Sequence, residues 1–140
     1  MFGKNPKRPP ETGDGRTLNV VEVFPTLQGE GPFVGQPAVF VRLGGCNLAC
    51  DFCDTEFEAF EAMQTPSLVE SIGQTAAGLR DLVVITGGEP LRQNIVPLCE
   101  ALLANGYRVQ IETNGTLWRP LPEGVNVVCS PKVTDGRYHK

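Results

Sequence analysis

Four short apolar runs, AVFVRLG (38–44), DLVVITGGEP (81–90), RVQIETNG (108–115) and VNVVCSPK (125–132), each close in glycine or polar residues, and helical patterns separate the first three. Each run is short for a helix and rich in β-branched residues, so each reads as a buried strand. Strand, polar loop and helix in succession demand parallel strands with helices outside, a class in which ligands gather at the carboxyl ends of the strands. Those ends carry Arg42 with the loop beyond it, Thr86-Gly87-Gly88-Glu89-Pro90, Glu112-Thr113-Asn114-Gly115 and Ser130-Pro131-Lys132. One shared site is the economical expectation.

The remaining pattern fills in around this frame. LNVVEVFP (18–25) reads as a first strand ended by Pro25, and TLQGEGPFVGQP (26–37) as a loop punctuated by Gly and Pro. In TPSLVESIG (65–73), Ser67 and Glu70 form a capping box, with Leu68, Ile72, Ala76 and Leu79 at helical spacing. A second helix spans NIVPLCEALLANG, with Asn94 as its cap, Pro97 in its first turn and Gly106 as its stop. Residues 1–16 lack periodicity and read as a mobile arm, leaving 17–140 as one core domain.

A net charge of -4 and a pI near 5.0 argue against nucleic acid as a partner. No apolar run approaches the roughly 20 residues of a membrane span, and the N-terminus lacks a secretory apolar region, which predicts a cytoplasmic address. There thiols stay reduced, and clustered cysteines favour metal or redox chemistry. Cys46, Cys50 and Cys53 fall within GGCNLACDFCDT, whereas Cys99 and Cys129 stand apart and read as small buried hydrophobes. Three thiolates can hold three corners of a 4Fe-4S cubane and leave the fourth iron open. Zinc would need a fourth ligand from Cys99, Cys129 or His139, and a redox pair of Cys50 and Cys53 is a third possibility.

The CxxxCxxC spacing, with Phe52 before the last cysteine and TGGEP at a strand end, resembles the radical S-adenosylmethionine (SAM) enzymes. That resemblance implies a cluster on Cys46, Cys50 and Cys53 whose open iron is chelated by SAM. It further implies SAM contacts from Phe52, Asp54, Gly87, Gly88, Glu89, Ser130, Pro131 and Lys132. In TGGEP the glycines allow close backbone approach, and Glu89 offers acceptors to an ammonium.

The stretch VFPTLQGEGPFVGQPAVFVRLGGCNLACDFCDTEF, followed in order by TGGEP, ETNGT and SPK, is similar to the N-terminal part of the 7-carboxy-7-deazaguanine synthase family. The fold implied is α/β, a partial (β/α)6 TIM-like barrel of the radical SAM type, incomplete in this chain. The activity implied is conversion of 6-carboxy-5,6,7,8-tetrahydropterin to 7-carboxy-7-deazaguanine with loss of ammonia, on the route to queuosine. Leu27, Gln28, Gly29 and Thr86 would contact the pterin, Arg42 its carboxylate, and Thr55 a Mg²⁺ ion, with Glu30, Glu112 and Asn114 as further pocket residues. A flavodoxin or ferredoxin as electron donor and a homodimer are also implied. Another radical SAM activity, such as a glycyl-radical-enzyme activase, and an inactive metal-binding remnant are the alternatives. No residue is identified as the base for ammonia loss.

Overall fold

The computed structural model describes residues 7–47 and 59–131, together with the backbone of 133–134 and 137–138. Six strands form one sheet in the order β3-β1-β2-β4-β5-β6, where β1 is Thr17–Leu27, β2 Pro37–Leu43, β3 Glu61–Gln64, β4 Leu82–Gly87, β5 Arg108–Thr113 and β6 Val125–Cys129. β2, β4, β5 and β6 run parallel, as the alternating pattern predicts; β1 pairs antiparallel with both β2 and β3. Two helices, α1 (Thr65–Ala76) and α2 (Val96–Ala104), pack against each other, α1 also on β1–β3 and α2 on β5. Two short strands, β7 (Val133–Thr134) and β8 (Arg137–Tyr138), pair antiparallel beyond the sheet.

Alternation along the strands separates two faces. Val39, Val41, Leu43, Val83, Ile85, Val109 and Ile111 join Leu68, Ile72, Leu98 and Leu102 of the helices in the main core. Ala38, Leu82 and Val84 point the other way, toward what we call the inner face, where Phe33 and Phe40 pack on them. The same phase puts Arg42, Thr86, Gln110 and Glu112 on that inner face.

Several local expectations are corrected. β1 passes through Pro25 to Leu27 because β3 pairs only with its first four residues, so the proline lies where β1 has β2 alone beside it. Helix α1 starts at Thr65 with no side-chain cap, which displaces the Ser67–Glu70 box. Its start is held instead by Gly15 and Arg16, whose carbonyls accept from the Thr65 hydroxyl and N–H at 2.6 and 2.8 Å. The helix ends at Ala76, and Ala77 turns to φ +51°, so Leu79 falls off the apolar stripe and is 80% exposed. In α2 the cap position falls on Ile95, which has no side-chain acceptor, and not on Asn94; Asn94, one residue earlier, still accepts from Val96 N–H at 3.2 Å, and Pro97 sits in the first turn.

Residues 7–16, an arm by composition, are strapped across the carboxyl end of the sheet. Arg8 N–H donates to Cys46 O at 2.7 Å, and Glu11 N–H to Arg92 O at 2.6 Å. Arg119 clamps the same layer, its Nη2 donating to the carbonyls of Glu11 and Arg92 and its Nε to that of Leu91. Backbone hydrogen bonds depend on geometry and not on composition, so a polar, proline-rich segment can still be docked.

Candidate active site

The parallel strands bring their carboxyl ends to one edge, with Leu43 opposite Gly87 and Thr113 opposite Cys129. Cys46, three residues past β2, is 8% exposed there. Its approach is fixed on three sides. Arg8 holds its carbonyl, and Gly88 and Glu89 N–H donate to Leu43 O and Gly45 O at 3.3 and 3.1 Å. From the third side, Arg92 Nη2 and Gln93 Nε2 both donate to Gly44 O.

The glycines of TGGEP face this same loop. A Cβ on Gly88 would overlap Gly45 O and lie 2.9 Å from Cys46 Cβ, and one on Gly87, at φ +137°, would overlap Leu43 O. The close backbone approach expected of them is thus spent first on the chain itself, seating the cysteine loop on β4.

Glu89, 1% exposed, ties β4 to β5. Its Oε2 accepts from Thr113 Oγ1 at 2.7 Å and Leu91 N–H at 3.0 Å, and its Oε1 from Asn114 N–H at 2.7 Å. Asn114 continues the link, since its Oδ1 accepts from the N–H and hydroxyl of Thr116, which turns its NH2 toward Asn47 Oδ1 at 3.1 Å and Cys46 Sγ at 4.0 Å. Ser130 N–H donates to Thr113 O at 2.8 Å, placing Ser130 and exposed Pro131 beside this network.

On the inner face, one row across the sheet reads Glu22, Arg42, Thr86, with Glu112 one pair beyond Ile85–Ile111. Arg42 Nε donates to Glu22 Oε1 at 2.9 Å, and its guanidinium lies 5.7 Å from the Phe24 ring centre. Below that row the loop after β1 folds across the sheet. Phe33 covers Leu82 and Val84 under the Arg108 guanidinium, and Gly31 lies against Val128 and Gln110. Leu27, Gln28, Gly29, Glu30, Phe40 and Glu112 then line an open groove of about 410 Å³. Gln28 is buried, and its Oε1 accepts from Gly29 and Glu30 N–H, which holds the loop closed. Among the described residues its Nε2, both polar atoms of Gln110 and Glu112 Oε2 make no hydrogen bond of full geometry, although Gln28 and Thr86 lie close enough to Glu112 to act on its charge. Buried polar atoms left so are the surface that a small polar ligand or water satisfies.

Burial, then the neighbouring Glu30 carboxyl, pushes Glu112 up to about 7 from 4.5, against the opposing pull of Gln28 and Thr86. A raised carboxyl favours folding below its unfolded value and loses that contribution as pH rises through 7. Glu112→Gln is therefore expected to match the parent near pH 4 and exceed it above pH 7. After discounting for partial exposure, the gap should be about 1–2 kcal/mol. Urea titrations at both pH values measure it, and a gap independent of pH would refute the assignment.

Three of the five cysteines, Cys46, Cys99 and Cys129, are among the described residues. Cys99 is fully buried on the helix side, where burial and the charge of Glu100 push its thiol up to about 12, so it is a core residue as expected. Cys129, expected buried, is exposed, because β6 has a strand beside it only on its β5 side among the described residues. Neither groups with Cys46, and no cluster of three metal-ligating side chains occurs among the described residues. Cys50, Phe52, Cys53, Asp54, Thr55 and Lys132 lie outside the described residues. The site residues that sequence reasoning missed are Glu22, Asn47, Arg92, Gln93, Gln110 and Thr116; a phase slip in the apolar pattern of β1, at Val20-Val21, was the available signal for Glu22.

The Radical SAM superfamily model matches residues 40–128, from β2 into β6. The chain belongs to the radical SAM superfamily. It is 60% identical over 135 residues to the 7-carboxy-7-deazaguanine synthase of Rhodospirillum rubrum, covering 94% of this chain and 57% of that one. With the synthase of Rickettsia prowazekii it shares 54% over 145 residues, covering 100% and 62%. The crystal structure of QueE from Escherichia coli superposes with a TM-score of 0.78 at 32% identity, covering 92% of this chain and 69% of that one. The chain thus spans about three-fifths of the curated relatives named here. Its parallel strands form part of a radical SAM barrel, and within the superfamily it groups with the 7-carboxy-7-deazaguanine synthases.

Radical SAM enzymes of this type use a 4Fe-4S cluster and SAM. The residues present fit both groups. Cys46 offers a soft thiolate on a pinned loop, with an amide N–H of Asn114 directed toward its sulfur. Around it Thr86, Gly87, Gly88 and Ser130 are partly exposed at the ends of β4 and β6. Among the described residues, no helix is long and apolar enough to cross a membrane.

Proposed function

We propose that this chain converts 6-carboxy-5,6,7,8-tetrahydropterin to 7-carboxy-7-deazaguanine with loss of ammonia; its relatives are named for that product. The observation that carries this reading is one continuous surface: the groove of Leu27, Gln28, Gly29, Glu30 and Glu112 leads through the Arg42–Thr86 row to the edge that holds Cys46, Gly87, Gly88 and Glu89.

Cys46, Cys50 and Cys53 would hold the cluster, and Phe52, Asp54, Gly87, Gly88, Glu89, Ser130, Pro131 and Lys132 would surround SAM, which would supply radical chemistry at this edge. Because Glu89's oxygens already hold three donors within the fold, its part is to fix the strand ends as well as to present negative charge. On the inner face, Gln28 Nε2, without a hydrogen bond of full geometry among the described residues, and the Leu27–Gly29 backbone suit a flat heterocycle that carries donors and acceptors on its edge. Arg42 suits the carboxylate, and Thr86 adds a hydroxyl beside it. Thr55 would reach a Mg²⁺ ion, which commonly keeps few protein ligands and completes its shell with substrate and water. Glu112, raised toward neutrality by burial and the Glu30 carboxyl, can hold or give a proton in this groove. A flavodoxin or ferredoxin would reduce the cluster in a cytoplasmic homodimer.

The test is anaerobic. The chain is reconstituted with iron and sulfide, reduced, and given SAM, Mg²⁺ and the carboxypterin, with products followed by mass spectrometry. 7-Carboxy-7-deazaguanine should form, and Cys50→Ala should abolish it. Zinc in place of iron, or a cluster that cleaves SAM but leaves the pterin intact, would sink the reading.

A further inference from the structure

We propose that Glu22 is a positioning residue that turns the fork of Arg42 toward a carboxylate-bearing ligand; the inference rests on the reading of Arg42 given above.

Leu18 and Val20 of β1 are buried in the helix-side core, at 1% and 4% exposure. Strict alternation would send residue 22 into the same core, where a carboxylate would be costly. Instead the register slips: Val20 lies opposite Leu43 but Glu22 opposite Arg42, so Val21 is an extra residue. From this bulge onward the phase is reversed. Val23 packs on the helix-side core, and Glu22 and Phe24 join the inner face. Bulges commonly re-aim a side chain beside a site, and here the residue re-aimed meets the guanidinium.

The contact is selective. Glu22 Oε1 accepts from Nε of Arg42 at 2.9 Å, and among the described residues that is the hydrogen bond of the Arg42 side chain. The two Nη groups form the end-on fork that matches a carboxylate bidentately. Phe24, 5.7 Å from the guanidinium, flanks it. Thr86 and Glu112 continue the row on the other side. Glu22 is 50% exposed against 21% for Arg42, so water screens its charge and it orients the arginine more than it neutralises it.

Binding is measured by isothermal titration of the cluster-loaded, unreduced chain with SAM present, so that no turnover occurs. The probes are 6-carboxytetrahydropterin and tetrahydropterin without the carboxylate. Glu22→Ala should weaken the first on the order of tenfold and leave the second within about twofold, the loss of one fixed charge-assisted geometry. Glu22→Gln, which keeps an acceptor for Nε–H, should restore the parent affinity. Equal weakening of both ligands by Glu22→Ala would mean a merely structural role, and tighter binding in both variants would make Glu22 a competitor that the ligand displaces; either overturns the proposal. Arg42→Ala separates the underlying reading: if it leaves the preference for the carboxylated ligand intact, Arg42 does not bind the carboxylate. A parent chain that binds neither probe overturns the pterin function and this inference with it.

Discussion

Gly88→Ala is expected to lower the unfolding free energy by about 3 kcal/mol or more, the upper range for overpacking, because the obstacle is backbone. The new Cβ would overlap Gly45 O and lie 2.6 Å from Gly45 C, and Gly45 is itself pinned by Glu89 N–H and packed on the Arg92 guanidinium. A flexible side chain could swing aside; a carbonyl fixed from two sides cannot. The alternative to unfolding is for the cysteine loop to lift off β4, which moves Cys46. Two readouts therefore change together, the urea midpoint and the iron retained after reconstitution. Gly13→Ala is the control, since nothing lies within 4 Å of its Cβ position, and it should stay within about 0.5 kcal/mol of the parent. If Gly88→Ala matched Gly13→Ala, the seating of the cysteine loop on TGGEP would be wrong.

What the sequence made legible was set by local chemistry. β2, β4, β5 and β6 are apolar runs closed by glycine or polar residues, and their common direction follows from the helices between the first three; the carboxyl-end site follows from that direction. What it hid was set by partners far along the chain. Glu11 meets Arg92, and Asn47 meets Thr116 and Asn114, across separations that no periodicity reports. Leu79 kept helical spacing yet fell outside because Ala77 ended the helix, and Cys129 sat in an apolar run whose strand lies at the sheet's edge. The bulge at Val21 is the instructive intermediate case. Leu18 and Val20 keep one phase and Val21 and Val23 the other, so the slip is written in the sequence, but its consequence needs the position of Arg42 opposite.

Glu89 carries the second large effect, and two substitutions apportion it. Glu89→Ala leaves the N–H groups of Leu91 and Asn114 and the hydroxyl of Thr113 without their acceptor in a site 1% exposed, for an expected loss of about 3–5 kcal/mol. Glu89→Gln keeps the shape and one acceptor oxygen, which can serve Asn114 N–H while the new NH2 donates to Thr113 Oγ1. It then places an N–H against Leu91 N–H, so a smaller loss of about 2 kcal/mol is expected. The order matters more than the sizes. A carboxylate that served only a bound ammonium would leave both variants as stable as the parent without ligand. One that also joins β4 to β5 must cost stability in the ligand-free chain, Ala more than Gln. Since Thr113 and Asn114 head the loop that reaches Cys46, the Ala variant should also loosen the thiol's surroundings and raise its alkylation rate in the cluster-free protein. Unchanged urea midpoints in both variants would return Glu89 to a purely ligand-facing role.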